Sequence, residues 1–94
     1  MKVFETIPAL RRYLNENRTL GKTIGFVPTM GCLHQGHGAL ISHSAEQNDI
    51  TVLSIFLNTT QFSCREDYAK YTRCREEDLV LAKASGATVI FAPN

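Results

Sequence analysis

The sequence predicts an α/β fold: the N-terminal portion of a doubly wound parallel sheet with helices packed on its faces. Three observations carry that expectation. Apolar, β-branched runs at residues 23–27, 50–57 and 88–91 alternate with segments of helical periodicity. The connections between them are long enough for a helical crossover, as parallel strands require. The run Ile50-Thr51-Val52-Leu53-Ser54-Ile55-Phe56-Leu57 is apolar along nearly its whole length, which suits an interior strand covered on both faces.

Each element has a local reason. Thr6 is placed to cap a first helix, with Ile7 and Pro8 in the opening turn, where the missing proline N–H costs little. Leu10, Tyr13 and Leu14 then recur at helical spacing while Arg11, Arg12 and Glu16 face water, and Gly21 ends the element. Thr23 to Val27 reads as the first strand, stopped by Pro28. A second helix is expected from Gly36 or His37 to about Gln47, with Leu40, Ile41, Ser44 and Ala45 as its inward stripe. Asn58 to Asp67 reads as an irregular loop, and a third helix is expected from Arg75 to Ala84, closed by Ser85-Gly86. Thr88 to Phe91 is the third strand. Right-handed crossovers would leave that strand at one edge and the first strand with an open edge. The pattern asks for more strands, so residues 1–94 read as the N-terminal part of a larger nucleotide-binding domain, with the rest of that domain and a C-terminal domain lying elsewhere.

Composition narrows the function classes. Ten basic residues against nine acidic ones leave a formal charge of +1, too balanced for a nucleic-acid or anionic-membrane surface. No apolar run approaches the roughly 20 residues that span a bilayer. The start, Met1-Lys2-Val3-Phe4-Glu5, lacks the apolar segment of a secretory signal, so a cytoplasmic location is expected. Cys32, Cys64 and Cys74 are an odd set without C-x-x-C spacing, which favours free thiols over a disulfide framework.

The chemistry concentrates where the first strand gives way to the second helix, in Phe26-Val27-Pro28-Thr29-Met30-Gly31-Cys32-Leu33-His34-Gln35-Gly36-His37-Gly38. Ligands of such sheets bind outside the carboxyl ends of the strands, and a helix N-terminus offers free N–H groups to phosphate. His34 and His37, three residues apart, can donate hydrogen bonds to phosphate oxygens, with Gly31, Gly36 and Gly38 allowing close approach. Structural histidines or metal ligands remain open on spacing alone, with Cys32 as a third donor. His43 is nearly opposite His37 on a helix and is a poor candidate. Neither a Walker loop nor the G-x-G-x-x-G fingerprint is present. Asn58 and Gln61, in the loop after the interior strand, suit a small polar substrate; Met30 and Phe62 suit an adenine or aliphatic pocket. Asp78 is read either as helix-dipole compensation or as a hydrogen-bonding or Mg²⁺-related group.

Three ordered segments, F-V-P-T-M-G-C-L-H-Q-G-H, S-I-F-L-N-T-T-Q-F and E-D-Y-A-K-Y-T-R-C-R-E-E-D-L, closely resemble the pantoate–β-alanine ligase (pantothenate synthetase) family. The resemblance implies a Rossmann-like fold of the HIGH-type nucleotidylyltransferase superfamily. It also implies an ATP-dependent ligase that condenses pantoate with β-alanine through a pantoyl adenylate, releasing pyrophosphate and AMP. By motif position, Met30, Gly31, Cys32, Leu33, His34, Gln35, Gly36 and His37 would contact ATP, with His34 and His37 catalytic. Pro28, Thr29, Met30, Asn58 and Gln61 would contact substrate, and Tyr71 and Asp78 would lie nearby. The implied co-substrate is ATP with Mg²⁺; no protein-held metal, tightly bound organic cofactor, nucleic acid or membrane is expected, and a homodimer is left open. A nucleotidylyltransferase of the same fold, or a silent nucleotide-binding or oligomer-forming segment, stands as the alternative. The chain departs from the family at Cys32 (commonly alanine), Gly38 (commonly bulkier), Thr59 and Thr72 (both commonly proline). These 94 residues alone are expected to lack appreciable ligase activity.

Overall fold

A computed structural model describes residues 1–56 and 65–93, with side chains described for 1–56 and 74–93. In chain order the elements are β1 (Lys2–Phe4), α1 (Ile7–Thr19), β2 (Ile24–Thr29), α2 (Gln35–Gln47), β3 (Ile50–Ile55), α3 (Arg65–Ser85) and β4 (Val89–Phe91). The four strands form one parallel sheet in the order β1-β4-β3-β2. Helix α1 packs on one face, and α2 with α3 on the other.

Alternation along β3 shows how one sequence serves both layers. Ile50 and Val52 join Leu10, Val89, Tyr13 and Leu14 on the α1 side. Leu53 and Ile55 join Ile41, Val27, Ala82 and Ile90 on the α2/α3 side. All six β3 residues are buried, as its predicted interior position demands. Register between β2 and β3 is pinned at their starts by a reciprocal pair. The Thr23 N–H donates to Asp49 Oδ2 and the Asp49 N–H to Thr23 Oγ1, each at 3.0 Å. At the other end, Thr29 lies opposite Ile55, and the Thr29 hydroxyl donates to the Ser54 carbonyl at 2.9 Å.

The first helix starts as expected: Thr6 is extended and its Oγ1 accepts the Ala9 N–H at 3.4 Å. Several expectations need correction. A strand at Lys2–Phe4, unforeseen, pairs with β4, so β4 is an interior strand and not an edge. Its anchor is Phe4, whose ring lies 5.3 Å from that of Tyr13 on α1. Strand β2 continues through Pro28 to Thr29. As the last strand of the sheet among the described residues, it tolerates the absent N–H. Helix α3 begins at Arg65 and not at Arg75, so residues 65–67 are helical and not part of the expected loop. Leu40, expected in the inward stripe, is instead 58% exposed. Helix α2 faces the sheet through Ile41 and faces α3 through Gly38 and Ser42, whose hydroxyl donates to the Ser85 carbonyl at 3.0 Å. Gly38 is buried there: a Cβ would stand 3.0 Å from Ser85 Oγ and 3.4 Å from Leu81 Cδ1. The departure at Gly38 therefore lets α2 and α3 approach closely. Among the described residues no helix is long and apolar enough to cross a membrane.

Leu53→Ala is expected to lower the unfolding free energy by about 2–5 kcal/mol, and Leu40→Ala to change it by less than about 0.5 kcal/mol. Urea denaturation of the two variants checks this; equal losses would mean that Leu40 is in fact part of the core.

Candidate functional site

The parallel sheet puts the carboxyl ends of all four strands on one edge, and the segment from Met30 to His37 leaves β2 there. Its path is not that of an ordinary loop. Gly31 has φ 95° and Cys32 has φ 52°, the one non-glycine residue in the left-handed region among those described. That conformation costs a non-glycine residue roughly 1–2 kcal/mol, so something must hold it.

The holder is Asp78. This side chain is 2% exposed, midway along α3, and its two carboxylate oxygens take one amide each. The Cys32 N–H donates to Oδ2 at 2.8 Å and the Leu33 N–H donates to Oδ1 at 2.6 Å. A hydrogen bond to a charged acceptor contributes about 1.5–3 kcal/mol, enough for the pair to offset the unfavourable φ. The hydrogen-bonding reading of Asp78 therefore holds. Dipole compensation does not apply, because Asp78 is far beyond the first turn of α3.

Beyond Leu33 the chain enters α2 through two histidines. His34 is the extended N-cap, and its Nδ1 accepts the Gly36 N–H at 3.0 Å. His37 reaches back, and its Nδ1 accepts the His34 N–H at 3.1 Å. Together they form a capping box in which imidazoles replace the usual hydroxyl and carboxyl groups. The rings lie 4.1 Å apart, tilted by 43°. Gly36 is needed for this, since a Cβ there would stand 2.8 Å from Cε1 of His34. The chemical consequence is a defined tautomer. With both Nδ1 atoms accepting amide protons, each neutral ring carries its own proton on Nε2, free to be donated. His34 is exposed and His37 half-buried, so an anion at the α2 N-terminus has access to both.

Other sequence-predicted residues fall as follows. Met30 is 64% exposed and Gln35 is exposed, both beside the loop. Leu33 packs against the α2/α3 core, leaving its backbone at the site. Pro28 is exposed on β2, whereas Thr29 is buried with its hydroxyl already engaged. His43 is exposed. Asn58, Thr59, Gln61 and Phe62 lie outside the described residues, and so do the side chains of Tyr71 and Thr72. The expectation of free thiols is corrected for two of three cysteines: Cys32 and Cys74 form a disulfide, with Cα atoms 5.1 Å apart. The fold brings them together across 42 residues of sequence. No local spacing could announce such a pair. Among the described residues no group of three His, Cys, Asp or Glu side chains could hold a metal ion.

Comparison with known proteins gives a consistent result. The family model for pantoate-beta-alanine ligase matches residues 2–94. The pantothenate synthetase of Acetivibrio thermocellus is 50% identical over all of this chain and 34% of its own length. The crystal structure of pantothenate synthetase from Thermus thermophilus superimposes with TM-score 0.76 at 39% identity, covering 100% of this chain and 32% of that one. The Francisella tularensis pantoate-beta-alanine ligase, complexed with beta-gamma ATP and beta-alanine, superimposes with TM-score 0.72 at 35% identity, covering 99% of this chain and 35% of that one. The chain thus spans about a third of the length of the curated relatives it matches.

Asp78→Ala removes the acceptor of two amides and is expected to destabilise the fold by about 3 kcal/mol, with Glu76→Ala, at an exposed position of the same helix, within about 0.5 kcal/mol of the parent. Chemical denaturation monitored by circular dichroism is the check; a near-neutral Asp78→Ala would refute the clamp.

Proposed function

The chain belongs to the pantoate-beta-alanine ligase family, and from that premise we propose that it supplies the N-terminal part of an ATP- and pantoate-binding domain in an enzyme making pantothenate. The observation that carries this is the α2 N-terminus, where a clamped loop and two Nε2–H donors meet at the carboxyl edge of the sheet. The Francisella relative's complex with beta-gamma ATP and beta-alanine supports it.

In the proposed first step a pantoate carboxylate oxygen attacks the α-phosphorus of ATP. The new P–O bond forms as the bond to the β-phosphate oxygen breaks, and pyrophosphate leaves. The carboxylate is already ionised, so no general base is needed. The protein has to align the reactants and stabilise the charge that spreads over the phosphate oxygens. His34 and His37 would do this through Nε2–H, supported by the N–H groups and partial positive charge of the α2 N-terminus. Residues Met30 to His37 would line the nucleotide. Pro28, Thr29, Met30, Asn58 and Gln61 would form the pantoate side. In the second step the β-alanine amine attacks the acyl carbon of pantoyl adenylate, forming the amide and releasing AMP. Mg²⁺ would arrive on the triphosphate as part of the co-substrate, since Asp78, the acid that holds this loop, is committed to two amides.

The test uses a chimera in which these 94 residues replace the matching third of the Acetivibrio thermocellus enzyme. It is expected to catalyse ATP–pyrophosphate exchange only when pantoate is present. His37→Ala in the chimera should slow that exchange by about 100-fold or more while weakening ATP binding less than tenfold. Equal losses in rate and binding would contradict a transition-state role. Exchange that ignores pantoate would point to a nucleotidylyltransferase.

A further inference from the structure

The disulfide reaches the same residue that the carboxylate grips. Cys32 gives its N–H to Asp78, and its side chain is bonded to Cys74, one turn before Asp78 on α3. Neither cysteine belongs to the two apolar clusters that hold the sheet and helices together. The bond therefore does not staple a deficient core. It ties one exposed, left-handed residue of the loop to α3. Two residues further on, the chain caps α2 with His34, so whatever orders Cys32 also orders the histidine pair.

We propose that Cys32 and Cys74 are a reversible thiol–disulfide modification site, through which a small-molecule disulfide or thiol sets the order of the loop that enters α2. Formation is balanced by exchange. A Cys32 or Cys74 thiolate attacks one sulfur of the small disulfide and expels one thiol. The second cysteine thiolate then attacks the mixed disulfide, expelling the other. The two cysteine thiols lose two electrons and two protons, and the small disulfide leaves as two thiols. Cys32 is exposed, so an exchanging reagent can reach it. In the linked state both tethers act on Cys32 and its φ of 52° is held from the side chain as well as from the amide. In the dithiol state Asp78 holds the loop alone, and the Cys32 and Leu33 amides open more often. Naming the loop a nucleotide site rests on the proposed function; the redox response itself does not.

The chain is equilibrated with graded ratios of reduced and oxidised glutathione, quenched with acid, alkylated and mapped by peptide mass spectrometry. A Cys32–Cys74 linked peptide is expected to appear and disappear reversibly, in the parent and in Cys64→Ser alike. Hydrogen exchange should then show the Cys32 and Leu33 amides opening at least tenfold faster in the reduced form, with Leu53 in β3 unchanged. Cys74→Ser should exchange like the reduced parent at every ratio. The proposal is overturned if no linked peptide forms, if Cys64 is the partner, or if linkage leaves exchange at Cys32 and Leu33 unaltered. A redox response without pantoate-dependent chemistry in the chimera would sink the functional reading alone; the reverse pattern would sink this proposal alone.

Discussion

A buried carboxylate that takes two backbone amides shapes this molecule's candidate site. Asp78 sits at 2% exposure and takes its two hydrogen bonds from the backbone of a loop some 45 residues earlier in the chain. Removing a carboxylate from water is costly unless its oxygens are occupied, and here each has one short, charge-assisted amide bond. That requirement works in both directions. The helix cannot keep Asp78 without the loop, and the loop cannot hold Cys32 at positive φ without the helix. The path into α2 follows from this mutual need.

From that path comes the arrangement of the histidines. Because the chain arrives extended at His34, the ring can fold back onto the Gly36 amide, and His37 can close the box on the His34 amide. Both rings use Nδ1 to finish the helix N-terminus and keep Nε2–H for a ligand. One pair of side chains thus satisfies two of the orphan amides of α2 and still presents donors outward. A serine–glutamate box would cap as well but would offer no comparable outward donors.

Much of the framework was legible in the residues. The β-branched run of β3, the Thr6 cap and the strand–glycine–histidine junction each carried a local signal, and three ordered motifs identified the family. What stayed hidden depended on distant parts of the chain. Strand β1 has three residues, too few for a period, and exists because Lys2 to Phe4 pair with Val89 to Phe91 at the far end of the sequence. The first turns of α3, Arg65-Glu66-Asp67-Tyr68, are too polar to show an apolar stripe. Leu40 fits a helical stripe by spacing, but the stripe's centre was set by where α3 packs. The partners of Asp78 are backbone amides, which leave no trace in a sequence, and the Cys32–Cys74 pair exists only in space. For Asn58 and Gln61, the substrate side of the proposed site, the motif remains the support.

The most direct measurement is long-range proton–nitrogen NMR of the His34 and His37 rings, with and without ATP. Both rings should carry their proton on Nε2, with Nδ1 accepting, and ATP should perturb both Nε2 resonances. A proton resident on Nδ1 of either ring, or two Nε2 signals indifferent to the nucleotide, would contradict the proposal that a clamped loop aims these imidazoles at phosphate.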